Sequence, residues 1–391
     1  MGNKNKSNFN FTSSNNSDSN QSNNNEENKP IYTNITKKKI IPYSYIPNSS
    51  DEEDDDIQDK LKCIRIIKGH YKWCNCLIIL KSKNLCSCSG DKTINIYSDD
   101  NNFDVILSLS SCHEDFILYM TELFESVIAS SSSDGTIKFW KIFIISNVLK
   151  DNSYYLIQTI KGHESDVWKF LYINDINQLI SCGSDALIKI WNLKYIPKKS
   201  ENEKDVINYE QVKTLTEHKY WISSIIEVKN EEKNIHYLVS GSGDISIKFY
   251  DINKDYICIY TLEKVICCQQ GTLVNYDNKT FLIGGGRGIF FYIINFIHFQ
   301  IEAKIYSGNE ELNTILVLHN NKLIHNGGFL VGGKECCFYY IYENTYNNKK
   351  IKKKAHDKYI YCLVQLGDNL IASSSYDNAI KIWKYDEHTF D

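Results

Sequence analysis

The chain has 391 residues, of which 42% are hydrophobic and 24% are charged, a balance typical of a folded globular protein. Its formal net charge is -4, so no global positive field favours nucleic acid or an anionic membrane surface. No apolar run of roughly 18 residues and no apolar N-terminal segment occurs, so we expect neither a membrane span nor a secretory signal. We therefore predict a protein of the cytoplasm, the nucleus or both, with its 13 cysteines reduced.

Residues 1–59 differ in composition from the rest of the chain. Asn and Ser dominate as far as Asn28, apolar residues are sparse, and an acidic block occupies residues 51–56. Such a segment cannot bury enough apolar surface to offset its ordering entropy. We predict a disordered low-complexity tail, either simply solvated or regulated by phosphorylation of Ser49 and Ser50 beside the acidic block.

From Leu61 onward, short strand-like runs follow one another along the chain. They are rich in Ile, Val, Tyr and Phe, as in TIKFW, LIKIW and AIKIW. Turn-forming pairs such as Asp134-Gly135 separate them, which is typical of tight hairpins. No long helical period occurs, so the sequence predicts an all-β fold.

A frame of four residues recurs five times in this part of the chain. Each copy has a His, then a Ser, then an Asp four residues after the Ser, then a Trp or Tyr six residues after the Asp. Self-similarity of this kind is the signature of a repeat architecture. The copies are His70, Ser87, Asp91 and Tyr97; His113, Ser130, Asp134 and Trp140; His163, Ser181, Asp185 and Trp191; His218, Ser240, Asp244 and Tyr250; His356, Ser373, Asp377 and Trp383.

Two further repeats are degenerate and keep only the aromatic position, at Tyr292 and Tyr340. Seven repeats of four short strands predict a seven-bladed β-propeller over residues 60–388. The ordered part starts with a lone strand at residues 62–68 and ends with the third strand of a repeat at 379–383. We expect these two strands to pair and close the ring, because closure removes an open sheet edge.

Ser, His and Asp together raise the alternative of a nucleophilic triad. An enzyme needs one such site, whereas this chain has five at matched spacing, so we predict a structural role and no catalysis. The pairs Cys74-x-Cys76 and Cys86-x-Cys88 raise the alternative of a zinc site, but structural zinc usually wants two to four intervening residues. We therefore predict no metal and no cofactor.

The recurring frame resembles the WD-repeat family over about residues 61–386. The resemblance rests on the Gly-His pairs at 69–70 and 162–163 and on the reference aromatics Trp140, Trp191 and Trp383. The Asp that usually follows this Trp is absent in all three repeats. The resemblance implies a propeller that serves as a non-catalytic platform, with the four frame residues forming a buried hydrogen-bonded tetrad. It does not identify the partner.

Three positions beside the frame resemble those that line the narrow top face in this family: three and five residues after each His, and one residue before each Asp. Aromatic residues dominate them, and aromatic anchors carry most of the energy of many interfaces. We predict that a hydrophobic or basic segment of a protein partner binds there, with no nucleic acid or membrane involved. The predicted contacts are Trp73, Phe116, Leu118, Asp166, Trp168, Trp221, Tyr359, Tyr361 and Tyr376.

The function predicted from the sequence is that of a scaffold for protein–protein interaction, monomeric within a larger complex. Two alternatives stay open. One is a substrate receptor of a ubiquitin ligase, although no helical adaptor-binding domain is recognisable before the repeats. The other is the WD-repeat subunit of cytosolic iron–sulfur protein assembly, for which the sequence contains no diagnostic motif.

Overall fold

The structure is a computed structural model of the whole chain. It describes residues 61–385, apart from 101, 145–153, 201–202, 266–272, 276–280, 286–289, 307–311, 319–327, 334–336, 343–348 and 368. The tail predicted at residues 1–59 therefore lies outside the described residues. The described strands begin at Leu61 and end at Tyr385, inside the predicted 60–388.

The described chain is built from short strands. They are β1 (Leu61–Ile67), β2 (Cys74–Ile79), β3 (Leu85–Ser89), β4 (Ile94–Tyr97), β5 (Val105–Leu109), β6 (Ile117–Phe124), β7 (Val127–Ser132), β8 (Thr136–Ile142), β9 (Tyr154–Lys161), β10 (Val167–Ile173), β11 (Gln178–Gly183), β12 (Ile188–Ile196), β13 (Val206–Leu215), β14 (Ile222–Asn230), β15 (Ile235–Ser242), β16 (Ser246–Asp251), β17 (Ile257–Glu263), β18 (Leu273–Asn275), β19 (Phe281–Gly285), β20 (Phe290–Asn295), β21 (Gln300–Tyr306), β22 (Leu312–Leu318), β23 (Gly328–Gly333), β24 (Cys337–Tyr342), β25 (Lys349–Lys354), β26 (Ile360–Gly367), β27 (Leu370–Ser375) and β28 (Ile380–Tyr385).

These strands form four-stranded antiparallel sheets in simple chain order: β2–β5, β6–β9, β10–β13, β14–β17, β18–β21 and β22–β25. A further sheet has the order β1, β28, β27, β26, so its outermost strand comes from the start of the described chain. The only helical segments among the described residues are two 3₁₀ turns, Asn174–Ile176 and Ile252–Lys254. The fold is an all-β propeller, and the predicted pairing of its first and last strands is present.

Each sheet has one edge strand that lies innermost and contacts the innermost strands of the neighbouring sheets. In the sheet that contains β1, this innermost strand is β26. Strands β26, β2, β6, β10 and β14 follow one another in this way. The second strands β3, β7 and β27 bury almost every side chain, because they pack between neighbouring sheets. The outermost strands, such as β1 and β13, expose most of their side chains, which is expected for a sheet edge that faces solvent.

The innermost strands β2, β6, β10, β14 and β26 each have a β-bulge near their start. The register slips between Cys74 and Cys76, and again between Val167 and Lys169, leaving one extra residue out of the ladder. The same slip occurs in β6, β14 and β26. A bulge redirects a side chain away from the regular alternation. The residues released in this way are Asn75, Leu118, Trp168, Ser223 and Tyr361.

Candidate functional site

The four frame residues of each repeat meet in a buried hydrogen-bonded group, as the third repeat illustrates. His163 Nδ1 lies 2.9 Å from Asp185 Oδ2, and His163 Nε2 lies 2.8 Å from Ser181 Oγ. The indole Nε1–H of Trp191 donates to the same Ser181 oxygen at 3.1 Å. Ser181 therefore donates to the imidazole and accepts from the indole, which satisfies every polar atom of the group except solvent-facing lone pairs of the carboxylate.

The other repeats repeat this geometry. Their His Nδ1 to Asp distances are 2.8–3.0 Å and their His Nε2 to Ser Oγ distances are 2.7–2.8 Å. The two other tryptophans also donate to the serine, over 3.0 Å and 2.8 Å. The residues concerned are His70, Ser87 and Asp91; His113, Ser130, Asp134 and Trp140; His218, Ser240 and Asp244; His356, Ser373, Asp377 and Trp383.

The two repeats with Tyr in place of Trp differ from each other. The Tyr97 hydroxyl lies 2.9 Å from Ser87 Oγ and so takes over the role of the indole donor. The Tyr250 hydroxyl is buried and makes no hydrogen bond with any described residue. A hydroxyl left in this state keeps its desolvation cost. The fourth repeat is therefore less completely satisfied than the first.

In the groups of His113 and His356, the pKa shifts favour an ionised Asp beside a neutral His. Burial alone would raise the pKa of Asp134, but hydrogen bonds from His113 and Thr136 outweigh it and hold that pKa well below its usual range. Asp377 behaves in the same way through His356. Burial lowers the pKa of His113 and His356, and the neighbouring carboxylates offset this only in part.

Ser, His and Asp are hydrogen-bonded in the same order as in a nucleophilic triad, but their buried position does not suit catalysis. Ser130 and Ser181 are 0% exposed, so no substrate atom can reach their hydroxyl oxygens. Each oxygen is also occupied by an indole N–H. The groups therefore serve to fix one sheet against its turn, since buried polar networks hold a unique geometry when fully satisfied.

The predicted contact positions lie around these groups and are joined by a recurring backbone hydrogen bond. The amide of the residue before each Asp donates to the carbonyl of the residue three after each His, at 2.8–3.0 Å. This bond brings together two of the three predicted sets. The pairs are Gly90 with Trp73, Ser133 with Phe116, Ser184 with Asp166, Gly243 with Trp221, and Tyr376 with Tyr359.

Five of the predicted residues form one continuous cluster, which we call the aromatic patch: Trp73, Phe116, Tyr359, Tyr361 and Tyr376. Trp73 and Tyr376 are stacked, with ring centroids 5.0 Å apart and an interplanar angle of 7°. Phe116 meets Trp73 edge-on at 4.9 Å, and Tyr359 and Tyr361 meet Tyr376 at 6.1 and 6.0 Å. Tyr359 is 39% exposed and the other four are half-buried, so the cluster reaches the surface.

Two lysines lie against the aromatic patch. Lys72 Nζ is 4.9 Å from the centroid of Phe116 and 5.9 Å from that of Trp73. Lys358 Nζ is 5.1 Å from the centroid of Tyr376. The positions predicted for the top face contain no lysine, so Lys72 and Lys358 were not among the predicted contacts. Each follows its His by two residues, so inspection of that position would have found them.

The remaining predicted residues lie apart from the patch. Trp168 is half-buried and its Nε1–H donates to Ser184 Oγ at 2.7 Å, while Ser184 donates to Asp166 at 3.0 Å. Trp221 is half-buried as well, on the sheet of β14–β17. Leu118 is half-buried at the bulge of β6. These residues sit on separate sheets, and no ring contact joins them to the patch among the described residues.

The structure also contains a polar contact that the sequence did not indicate. Asp205, in the hairpin between β12 and β13, is 4% exposed and accepts hydrogen bonds from the hydroxyls of Tyr155 and Tyr195. Asp205 ties this hairpin to β9 of the neighbouring sheet.

The described residues contain no group of three or more His, Cys, Asp or Glu side chains arranged to hold a metal ion. Burial raises the pKa of the Cys74, Cys86 and Cys88 thiols, so they stay protonated and behave as small apolar side chains. In the described part of the chain, no helix is long and apolar enough to cross a bilayer.

Comparison with known proteins agrees with this geometry. The profile of the WD domain, G-beta repeat, matches residues 61–98, 104–141, 154–192 and 348–384. Each match starts with the outer strand of one sheet and continues through three strands of the next. The repeat in the sequence is thus offset by one strand from the sheet in the structure.

Several curated proteins are similar to parts of the chain. Mitochondrial division protein 1 of Eremothecium gossypii is 31% identical over 40% of this chain and 20% of its own length. Nuclear distribution protein nudF of Aspergillus niger is 28% identical, over 41% and 31%. The ribosome biogenesis protein WDR12 homolog of Aedes aegypti is 24% identical, over 58% and 52%. The chain spans between a fifth and about half of these relatives. The frame, the sheets and the profile matches together show that the chain contains WD repeats at these four positions.

Proposed function

We propose that this protein is a non-catalytic scaffold that binds a segment of a protein partner on the aromatic patch. The observation that carries the proposal is the stack of Trp73 on Tyr376, which remains half-exposed at the surface. A half-exposed stack keeps apolar area that a partner can cover, and covering it is favourable by about 25 cal/mol per Å². WD-repeat propellers typically act as interaction scaffolds, which agrees with this proposal.

The patch is pre-organised, which favours tight binding. Each ring contacts at least one other ring, and backbone hydrogen bonds hold Trp73 to Gly90 and Tyr376 to Tyr359. Aromatic side chains lose little conformational entropy on binding, because they rotate about only two bonds. A partner that fills the patch therefore meets a surface that needs little rearrangement.

The charges around the patch narrow the chemistry of the partner. The ammonium groups of Lys72 and Lys358 already lie over the rings, so a basic partner residue there would meet like charge. An apolar segment fits better at the patch itself. A basic residue of the same segment would fit near Asp166, on the sheet of β10–β13, where a carboxylate lies at the surface of the turn.

We further propose that all seven four-stranded sheets are blades of one closed ring. Support comes from the inner strands, since β14 contacts β18, β18 contacts β22 and β22 contacts β26. These contacts continue the succession from β26 to β14. A closed ring would keep the stacked rings of Trp73 and Tyr376 next to each other, although they come from the first and last repeats.

The proposal is tested by affinity purification of the full-length chain with quantitative mass spectrometry. Trp73→Ala removes the central ring of the patch. Tyr71→Ala is the matched control, because the Tyr71 side chain is 91% exposed, lies two residues away and makes no ring contact among the described residues. We expect at least one protein partner to fall by about tenfold or more with Trp73→Ala and to be unaffected by Tyr71→Ala.

An unchanged set of partners, with Trp73→Ala unfolding at the same urea concentration as the parent, would rule out the patch as the binding surface. The recovered partners also separate the two alternatives left open by the sequence. Ligase subunits would indicate a substrate receptor, and iron–sulfur client proteins would indicate an assembly factor.

Because the relatives have names from mitochondrial division, nuclear distribution and ribosome biogenesis, we propose a location in the cytoplasm or the nucleus.

A further inference from the structure

A cavity of about 390 Å³ lies between the innermost strands β6, β10 and β14. It is separate from the aromatic patch, since its lining residues follow the bulges and lie further along these strands. Part of its wall is apolar, formed by Leu123, Leu171 and Ile226. The cavity also contains a cation, the ammonium group of Lys169.

Lys169 has no counter-ion in the described part of the chain. Its Nζ lies 3.4 Å from Ser224 Oγ and 5.7 Å from the centroid of the Tyr119 ring, and it takes part in no salt bridge among the described residues. Burial lowers the pKa of this lysine. Placing an ammonium among protein groups without an anion is unfavourable, so an anion that reached it would gain both charge and hydrogen bonding.

The two glutamates of the cavity do not neutralise Lys169, because each is held by other groups. Glu122 accepts hydrogen bonds from the backbone amides of Lys81, at 2.6 Å, and Ser126, at 3.1 Å. Glu227 Oε1 lies 2.6 Å from His236 Nε2. Neither carboxylate makes a salt bridge with Lys169 among the described residues, so the ammonium group is not neutralised by the cavity wall.

We infer that this cavity is a binding site for a small organic carboxylate. The carboxylate would pair with the ammonium group of Lys169, while its apolar body would lie against Leu171 and Ile226. The volume falls within the range of roughly 300–1,000 Å³ that small-molecule sites occupy. An aromatic acid of moderate size matches both the charged and the apolar part of the wall.

The test compares sodium benzoate with benzamide, which has the same shape without the charge, at equal ionic strength. We expect saturating benzoate to raise the thermal midpoint of the full-length protein by about 2 °C, and benzamide to leave it unchanged. Lys169→Met should abolish the benzoate shift. Lys161→Met is the control, because Lys161 is exposed at the end of β9, and it should keep the shift.

A second measurement does not depend on how the variant folds. Benzoate should slow the acylation of Lys169 in the parent protein at least threefold or so, read by mass spectrometry of that peptide, while Lys161 reacts at an unchanged rate. The inference is overturned if benzamide acts as strongly as benzoate, or if Lys169→Met retains the shift. A larger shift with N-acetyl-glutamate amide would assign the carboxylate to a partner protein and overturn the small-molecule assignment.

Discussion

The indole of Trp221 lies directly on the backbone of Gly243. A Cβ atom at Gly243 would approach Trp221 Cε2 to 2.4 Å, closer than such atoms come in proteins. Gly90 supports Trp73 in the same way, with a distance of 2.7 Å to Cε2. Each glycine also donates its amide hydrogen to the carbonyl of the same tryptophan. Glycine at this position therefore allows a large ring to lie flat across the turn.

We expect Gly243→Ser to displace the Trp221 ring. Serine occupies the equivalent position in other repeats, at Ser133 and Ser184, where the residue that accepts its amide hydrogen bond is Phe116 or Asp166 and not a tryptophan. The added side chain should cost about 1–3 kcal/mol of unfolding free energy, as overpacking does. It should also make Trp221 more accessible to acrylamide quenching. Ser133→Ala is the control and should change the unfolding free energy by less than about 0.5 kcal/mol. Equal stability and equal quenching would contradict the prediction.

The two tyrosines at the reference position should respond differently to loss of their hydroxyl groups. Tyr97→Phe removes the bond of 2.9 Å to Ser87, so we expect a loss of about 0.5–1.5 kcal/mol of unfolding free energy. Tyr250→Phe removes a buried hydroxyl that has no partner among the described residues, so we expect no loss or a small gain.

Urea unfolding of the two variants measures this difference, and each serves as the control for the other. Both tyrosines are fully buried, so the change in apolar contact is matched. Equal losses in the two variants would show that the Tyr250 hydroxyl is satisfied in solution, for example by a buried water molecule.

The protein should lose stability on acidification in two stages. The pKa values of His113 and His356 are lowered in the folded state by burial, so the unfolded chain takes up protons first as the pH falls through about 6.5. Burial raises the pKa values of the five frame carboxyls, but the hydrogen bonds and charge of the histidines, together with other hydrogen bonds, outweigh it and lower those pKa values. The residues are Asp91, Asp134, Asp185, Asp244 and Asp377. Stability from these carboxylates is present above about pH 4 and is lost as the pH falls further.

Urea midpoints between pH 7.5 and 3.5 test this dependence. Both stages have the same sign, so the midpoint should fall throughout the range. Asp377→Asn should lower the midpoint at pH 7.5 and make the acidic stage shallower, since one carboxylate no longer titrates. An increase in the urea midpoint as the pH is lowered from 7.5 to 5 would contradict the lowered pKa values of His113 and His356.

The repeat architecture could be predicted from the sequence because its signal is periodic. Ser181, Asp185 and Trp191 stand at spacings that recur along the chain, and the structure brings them into one hydrogen-bonded group around His163. The predicted pairing of the first and last strands followed from counting strands, and β1 does pair with β28. A repeated spacing of this kind can still be recognised when single positions are substituted, as with Tyr97 and Tyr250 in place of Trp.

The composition of the surface could be predicted only in part. The positions that yielded Trp73 and Tyr376 were chosen by their spacing from His and Asp, but spacing does not say which rings touch. The lysines over the patch depend on side-chain rotamers, and Asp205 depends on contact between neighbouring sheets. The lysines share a spacing of two residues after His70 and His356, but that spacing does not show that their ammonium groups lie over rings, and Asp205 has no counterpart at a repeated position.

The stack of Trp73 on Tyr376 has a consequence for synthesis of the chain. The two rings come from the first and the last described sheets, and the last sheet is completed only when β1 pairs with β28. A nascent chain emerging from the ribosome has Trp73 early but lacks Tyr376 until nearly all of residues 61–385 have been made. A partner that recognised the proposed patch would therefore bind chains in which β1 has paired with β28 and would ignore chains that stop short of Tyr376.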